Sequence, residues 1–511
     1  MEKYVKVSCR QEVTGLNPDE EKVLKEALTF DNPAYAKAVK YGKSGFISKP
    51  EHLYYYARHG NVFEVPLGVD LDSILPKAGF KYQSCIDHRF IWEAKRGVNI
   101  FPEFCLELRE DQKKAAAAFQ KRFSLTSYGF PCTGIIQMPT GKGKTILGIY
   151  LARYFNQKTL IMVHKDDLVL GWKEDIKQCF NGLADVGIIK AKKRETGKHF
   201  TIATVQTLAR MTDDELSKYT SQFGMVIQDE VHHIGASTFN IVDKFSSLIK
   251  LGLSATPSRE DGLSHVFNIY YNGIVYNHKY VKDDKDISNV KVYLRVSPVH
   301  FYPYVNSRKK GKEDYVLNYF DYEGKTLPDG YASIDSYPSS KRPVVPYASI
   351  DTYIMHDMKF KVLLGKDIIS HFKQGHSCLV LFKQKESVDL YYNYLKRYIP
   401  GNFLMKYYGD SKEKTSILLK RAENREVLVT LATYSKTSEG TNVKAWEVLF
   451  LASSVNNAKD VKQSLGRIRR KAENKLKTVL VYDYCQKDVY GFSKHVFTRV
   501  AAYNELKCEI V

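Results

Sequence analysis

Short apolar runs recur through most of this 511-residue chain, and each ends in small or polar residues. Gly134-Ile135-Ile136 reads as a strand, Met138-Pro139-Thr140-Gly141-Lys142-Gly143 as a Gly/Pro turn, and residues 146–152 as a buried helix. Thr159–Val163 is the next strand, and His164-Lys165-Asp166-Asp167-Leu168 leads into a helix around Trp172. A strand over 201–205 ends at Gln206-Thr207. Met225-Val226-Ile227 delivers Asp229-Glu230-Val231-His232, and Leu251-Gly252-Leu253 delivers Ser254-Ala255-Thr256-Pro257. Strands alternating with helices, with polar groups at the strands' carboxyl ends, predict an α/β fold. Its sheet is parallel and doubly wound, with a ligand along the carboxyl edge.

A second α/β pattern begins near residue 356. It comprises a helix over 360–372, a strand over 377–382, a tyrosine-rich helix and a strand over 426–432. A polar, glycine-bearing loop (433–442), a strand over 446–452 and a helix carrying residues 463–470 complete it. Residues 1–100 read as a separate, small α+β accessory domain. Leu16-Asn17-Pro18-Asp19-Glu20-Glu21 caps a helix over 22–30, and Asp31-Asn32-Pro33 stops it. A second short helix over 34–41 carries Lys37 and Lys40 on one face, with Lys43 beyond it and Tyr35 and Tyr41 beside them. Stretches 61–66 and 90–94 alternate like strands. Residues 281–355 are rich in Tyr, Pro, Ser and Asp and contain the basic run Arg308-Lys309-Lys310-Gly311-Lys312. Tyr331-Ala332-Ser333-Ile334-Asp335-Ser336-Tyr337 recurs there as Tyr347-Ala348-Ser349-Ile350-Asp351-Thr352-Tyr353, too few copies for a solenoid. The expected division is therefore 1–100 accessory, 101–280 first α/β domain, 281–355 insertion or linker, and 356–511 second α/β domain.

Composition narrows the class. At 44% hydrophobic and 26% charged residues the chain is globular in type, and no apolar run approaches membrane-spanning length. The amino terminus lacks the apolar core of a secretory signal. The eight cysteines are scattered singly, which argues against a zinc knuckle or a disulfide framework and for a reducing interior. The 77 Lys and Arg outnumber 57 Asp and Glu, a formal charge of +20 that favours polyanions. The 36 tyrosines interleaved with lysines suit base stacking as well as ordinary core and rim positions.

The chemistry is concentrated at the turn. A glycine loop opening a helix points backbone N–H groups at an anion, and the helix dipole favours negative charge. Lys144 is placed to reach the β- and γ-phosphates and Thr145 to hold Mg²⁺, as in the P-loop pattern, although Met138 replaces its first glycine. The plain alternative is a turn that binds nothing. Asp229 and Glu230 decide against it: an aspartate ending a buried strand suits Mg²⁺, and the next carboxylate suits orientation of an attacking water. Gln112 has the amide needed to read an adenine edge, and Phe101 and Phe104 could stack on the base. In the second pattern Gln463, Arg467 and Arg470 share one helical face, where arginines can neutralise a transferring phosphoryl group. Arg469 and Lys471 are expected to face solvent or nucleic acid.

With these residues in view, the chain resembles the DExH helicases of superfamily 2. The matching blocks are Arg109/Gln112, Pro139-Thr140-Gly141-Lys142-Gly143-Lys144-Thr145, Asp229-Glu230-Val231-His232, Ser254-Ala255-Thr256, Ser438-Glu439-Gly440 and Gln463-x-x-Gly466-Arg467-x-x-Arg470. Residues 251–262 and Val163-His164-Lys165 are similar to bacteriophage branch-migration helicases of the UvsW kind, and to their XPB and RecG relatives. Gly171 stands where relatives commonly have glutamine. The resemblance covers roughly residues 106–490. It implies two RecA-like domains and ATP with Mg²⁺ as cofactors. Arg109, Gln112, residues 139–145 and Gly440 would bind nucleotide. Lys144, Glu230, Gln463, Arg467 and Arg470 would be catalytic, and Thr145 and Asp229 would hold the metal. His232, Ser254 and Thr256 would couple the nucleotide to the strand-binding face, and Thr204, Gln206, Thr207, Thr433, Ser438 and Thr441 would track nucleic acid. The implied activity is an ATP-dependent DNA helicase or translocase that unwinds or remodels branched or duplex DNA in branch migration, replication, recombination or repair, as a monomeric motor in the cytoplasm of a phage-infected or bacterial cell. RNA unwinding, duplex translocation without strand separation, and an ATP-switch subunit are the alternatives. Neither flank contains a convincing nuclease centre.

Overall fold

The computed structural model describes residues 2–40, 50–84, 99–125, 132–233, 241–247, 249–255, 262–278, 287–301, 304–306, 315–316, 331–333, 346–409, 412–437, 441, 443–472 and 474–511. Its contacts divide the chain into two units, Met1–Lys279 and Tyr280–Val511. No helix among the described residues is long and apolar enough to cross a membrane.

The first unit begins with a five-stranded sheet in the order Ala57–His59, Val62–Val65, Gln11–Thr14, Tyr4–Val7, Lys81–Ser84. All its pairs are antiparallel except the last, which is parallel. Asn17 caps the helix Pro18–Ala27, with a reciprocal bond from the Asn17 amide to the Glu20 side chain. Residues 16–21 supply the cap and first turn as read, with Pro18 opening the helix, which stops at Ala27 and not at residue 30. Thr29–Asp31 then pairs with His52–Tyr54 as a strand, where the sequence suggested more helix. Pro33–Lys40 is helical as read. Tyr41, Lys43 and residues 90–94 lie outside the described residues.

This module is built onto the sheet domain that follows. Gln11 Nε2 donates to the carbonyls of Pro66, Leu67 and Val69, folding that loop back on its sheet. Gly68 presses so close to the Tyr270–Tyr271 backbone that a Cβ there would lie 2.4 Å from the Tyr270 carbonyl carbon. The His265 ring stacks on Phe30, with centroids 3.8 Å apart, and its Nε2 meets the Tyr55 hydroxyl at 3.2 Å.

The larger sheet of this unit has eight strands. Their order is Lys193–Arg194, Val186–Lys190, Phe200–Thr204, Thr159–Val163, Met225–Gln228, Ile249–Ser254, Cys132–Gln137, Ile274–Asn277. Only the Lys193–Arg194 pairing is antiparallel. The five central strands, from Phe200–Thr204 to Cys132–Gln137, are buried along their length except at Gln137, as in a sheet covered by helices on both faces. Helices Glu110–Leu125, Lys144–Phe155 and Asp166–Cys179 pack against it. This strand order brings the ends of Cys132–Gln137, Ile249–Ser254 and Met225–Gln228 side by side.

The second unit holds a seven-stranded sheet, every pairing parallel. Its order is Leu404–Tyr407, Val429–Thr433, Cys378–Phe382, Val448–Leu451, Thr478–Cys485, Asn289–Val296, Glu509–Ile510. Asn289–Val296 corrects the expected boundary. It is an inner strand paired over eight residues with Thr478–Cys485, with Val290 and Val292 packing inward, although its polar surroundings read as linker. The seven-residue repeat separates into two structures. Tyr331–Ser333 is a strand in a small sheet with Tyr304–Asn306 and Tyr315–Val316, whereas the second copy opens the helix Tyr347–His356. Burial of Ile350, Asp351 and Ile354 against the second sheet selects helix for the same local sequence, so packing overrides propensity. The run 308–312 lies outside the described residues.

Candidate functional site

The loop 138–143 leaves its strand where Met138 N–H donates to the Ser254 carbonyl, 2.9 Å away. Gly141 (φ 89°) and Gly143 (φ 77°) take the left-handed conformations that let the loop turn back and open the helix Lys144–Phe155. A side chain at Gly143 would also strike Gln112, since a Cβ would lie 2.4 Å from its Nε2.

Residues 109–112 embrace this loop. Arg109 Nη1 donates to the Gly141 carbonyl at 3.2 Å, and Gln112 Nε2 donates to the Gly143 carbonyl at 2.9 Å. Gln112 Oε1 accepts the Arg109 amide at 2.8 Å, so the buried Gln112 amide is engaged at both ends in bracing the loop. Lys142, expected at the phosphates, is instead buried in an ion pair with Asp111, 2.6 Å away. Phe101 is a core residue packed on Phe180, His199 and Phe200, and Phe104 lies against Tyr150 and Phe180, so neither matches the base-stacking expectation.

Beside the loop, the four acidic and coupling residues converge. Lys144 Nζ lies 3.3 Å from Glu230 Oε1, and Glu230 Oε2 lies 3.4 Å from both His232 Nδ1 and the Ala255 amide nitrogen. His232 Nδ1 meets Ser254 Oγ at 2.7 Å. Glu230 adopts φ 46°, a left-handed backbone that a non-glycine residue takes only when its surroundings compel it. Asp229, 7% exposed, accepts the Glu230 amide on Oδ1 at 2.9 Å and the Trp172 indole N–H on Oδ2 at 2.8 Å. Burial, then the neighbouring Glu230 charge, pushes its carboxyl up to about 6; Trp172, Lys144 and His164 pull the other way. A buried carboxylate so short of positive charge, with the Thr145 hydroxyl one residue beyond Lys144, has the donor chemistry of a Mg²⁺ site. Thr256 lies outside the described residues.

At the same carboxyl edge, Gln206 is exposed and donates to the His164 carbonyl at 2.6 Å. Thr207 is half-buried, and its hydroxyl meets that of Thr204 at 2.7 Å. Thr204 itself is buried, so its side chain shapes the turn and is not presented to a ligand.

In the second unit the expected loop residues are likewise inside. Thr433 and Thr441 are buried, contrary to the expectation of contact with nucleic acid, and Ser438 and Gly440 lie outside the described residues. The helix Ala458–Ile468 ends before Arg470, earlier than the shared face assumed. The two arginines still meet: Arg467 Nη1 and Arg470 Nη1 both donate to the Thr441 carbonyl, at 2.7 and 3.2 Å. Gln463 is buried on the same helix. Arg469, expected at the surface, is buried and donates to the carbonyls of Ser288 and Leu506. Two residues escaped the sequence reading. Lys475 caps the arginine helix by donating to the carbonyls of Ile468, Arg470 and Lys444 at 2.7–2.8 Å. Trp172 is the other, and its only signal in the sequence was a tryptophan in the helix that follows His164 and Lys165.

Comparisons with known proteins agree with this geometry. The family profile described as "Type III restriction enzyme, res subunit" matches residues 105–259, which hold the loop and the Asp229–His232 segment. A protein of Acanthamoeba polyphaga mimivirus, "Putative ATP-dependent RNA helicase L396", is 30% identical over 342 residues, 66% of this chain and 57% of that protein. The "DNA 3'-5' translocase XPB2" of Sulfurisphaera tokodaii is 26% identical over 378 residues, 72% of this chain and 80% of the relative. "Probable helicase D10" of Escherichia phage T5 is 36% identical over 140 residues, 27% of this chain and 30% of that protein. The chain thus spans a little over half of the mimivirus protein. Among solved structures, the "ATP-dependent Type ISP restriction-modification enzyme LlaBIII bound to DNA" superposes with a TM-score of 0.50 at 13% identity, covering 84% of this chain and 32% of the other, a likeness of fold alone. T4 UvsW aligns over 100% of this chain and 99% of its own with a TM-score of 0.38 and 16% identity, too loose a superposition to argue from. In its motif series, and in the sequence it shares with these relatives, the chain is similar to the superfamily 2 helicases.

Proposed function

We propose that this protein is an ATP-dependent DNA helicase or translocase acting on branched or duplex DNA. The carrying observation is the convergence of Lys144, Asp229, Glu230 and His232 at one sheet edge, beside a glycine loop braced by Arg109 and Gln112. Residues 1–100 are its accessory domain and 101–280 its first motor domain. The second motor domain is 356–511 together with the strand Asn289–Val296. In this reading Thr145 and Asp229 hold Mg²⁺, which supplies neutralising charge to the β- and γ-phosphate oxygens. Lys144 exchanges its Glu230 partner for phosphate, and Glu230, released, orients the lytic water. His232 and Ser254 pass that change to the strand Ile249–Ser254. Arg467 and Arg470 are the arginines proposed to neutralise a transferring phosphoryl group; such arginines are worth about 10³–10⁵ in rate. Gln206 and Thr207 are exposed enough to track a phosphodiester backbone, which carries no base specificity. The relative named as a DNA 3'-5' translocase supports DNA as substrate; work in replication, recombination or repair inside a bacterial or phage-infected cell, as a monomeric motor, is part of the same proposal.

A second reading, an RNA helicase, is favoured by the name of the mimivirus relative. The two separate in one experiment: ATP hydrolysis with single-stranded DNA, duplex DNA, forked or four-way DNA and RNA, at one fixed salt concentration. Strongest stimulation by branched DNA is expected. Strongest stimulation by RNA overturns the DNA assignment and leaves the ATP-site assignments standing.

A further inference from the structure

Trp172 lies 57 positions before Asp229 in sequence, yet its indole N–H donates to Asp229 Oδ2 at 2.8 Å. The indole is 2% exposed. Its ring fills the space beside Gly148 on the helix that follows the glycine loop. A Cβ at Gly148 would lie 3.3 Å from Trp172 Cη2, 3.3 Å from Leu253 Cδ1 and 3.4 Å from Ile227 Cδ1. One side chain therefore joins two parts of the site: it lies against the helix carrying Lys144 and Thr145, and it holds the Asp229 carboxylate. Indole nitrogen is a donor only, so Trp172 can hold a carboxylate oxygen but cannot ligate a cation in its place. With Oδ1 already accepting the Glu230 amide, the second donor fixes the plane of the carboxylate and leaves the remaining lone pairs to a metal or its water. Trp172 also belongs to the helix Asp166–Cys179, which begins directly after His164 and Lys165. That start is tied to the carboxyl edge by Gln206 donating to the His164 carbonyl and by a 3.1 Å ion pair between Lys190 and Asp166.

We infer that Trp172 is a positioning residue for the divalent cation: it sets the orientation of Asp229 and makes that orientation depend on where the helix Asp166–Cys179 stands. This rests on the reading of Asp229 as a metal ligand.

The test uses the full chain with Trp172→Phe, which keeps an aromatic ring and removes the donor. The Mg²⁺ concentration for half-maximal ATP hydrolysis is expected to rise about 10-fold, while the ATP KM at saturating Mg²⁺ stays within about twofold. Mn²⁺ binding to the ADP-bound protein, followed by electron paramagnetic resonance, should weaken by the same factor without any turnover. Trp172→His, whose ring N–H can still donate, should recover part of the loss. Should Trp172→Phe fold poorly, Gly148→Ala displaces the indole from the opposite side and should raise the Mg²⁺ requirement about two- to threefold. Unchanged Mg²⁺ demand and Mn²⁺ binding in a folded Trp172→Phe protein would make Trp172 a packing residue and overturn the inference. Asp229→Asn separates the two layers: if it still binds Mn²⁺ and turns over, the metal assignment of Asp229 fails, and the role of Trp172 falls with it.

Discussion

The two large sheets share a parallel architecture and each buries an aspartate, yet they treat that charge in opposite ways. Asp229 in the first unit sits beside another carboxylate, Glu230, on a backbone forced to φ 46°, and its proton affinity is raised. Asp483 in the second unit is neutralised in full view of its neighbours. Arg499 Nε reaches both its oxygens at 3.0 and 2.8 Å, Tyr503 donates at 2.7 Å, and Arg499 also holds Ser454 and the Val455 carbonyl. Both carboxylates are buried; only one is left wanting a cation. A charge satisfied from within is scaffold, and a charge left in deficit is where a ligand belongs.

Mutations should separate the two cases sharply. In the first unit, Lys144→Ala or Glu230→Gln is expected to reduce ATP turnover by a factor on the order of 10³ or more while leaving DNA binding and thermal midpoint close to wild type. Turnover assays alongside DNA-binding titrations check this; ATPase activity retained in either variant would sink the site assignment. In the second unit, Arg499→Met strands Asp483 and should cost about 3–5 kcal/mol in denaturant unfolding, with loss of activity only through loss of fold. Replacing both partners, Asp483→Leu with Arg499→Met, should return most of that stability, because no buried charge is then left alone. A double variant no more stable than the single one would show that the network is not a closed pair.

A smaller effect should appear with pH. Burial, together with Lys383 and Arg499 nearby, pushes the His495 imidazole down to about 4. The folded state therefore prefers it neutral, and its stabilising share is complete above the ordinary histidine value. That share is lost as pH falls from about 6.5 towards 4, at most about 3 kcal/mol before solvent screening. Asp351, raised to about 6 mainly by burial, works in the opposite direction, gaining stability as it takes up a proton. The difference between wild type and His495→Gln isolates the histidine: the gap in unfolding free energy should narrow or reverse in favour of the variant as pH drops to 4. A gap constant with pH would contradict the burial argument. The smallest effect belongs to Gly171→Ala. Nothing lies within 4 Å of a Cβ at this exposed helical position beside Trp172, so the change should stabilise by about 0.5–1 kcal/mol and leave ATP turnover alone.

Much of this was legible in the chain, for identifiable reasons. Inner strands of the first sheet such as Thr159–Val163 and Met225–Gln228 are largely apolar, which made them readable from local pattern, and Met225–Gln228 runs directly into Asp229 and Glu230. The same holds for the strand Cys378–Phe382 and the helix carrying Arg467. What escaped depends on distance in sequence. Trp172 and Asp229 meet only because their elements neighbour one another in the fold. Lys142 looked like a phosphate ligand until Asp111, 31 positions earlier, was found beside it. Thr433 and Thr441 occupy a polar loop whose threonines turn inward, which composition cannot reveal. The twin heptads make the limit plain, since Tyr331-Ala332-Ser333 is strand whereas its counterpart Tyr347-Ala348-Ser349 opens a helix.

The inner position of Asn289–Val296 has a consequence for the birth of the protein. During synthesis this strand leaves the ribosome long before its main partner, because Thr478 follows Val296 by about 180 residues. At about 5–20 residues per second, that is a wait of roughly 10–40 s. Throughout it, both hydrogen-bonding edges of an eight-residue, valine-rich strand stand open to any passing strand. Chaperone demand and misassembly on nascent chains should therefore peak over this interval and fall once residues 478–485 arrive to close the sheet.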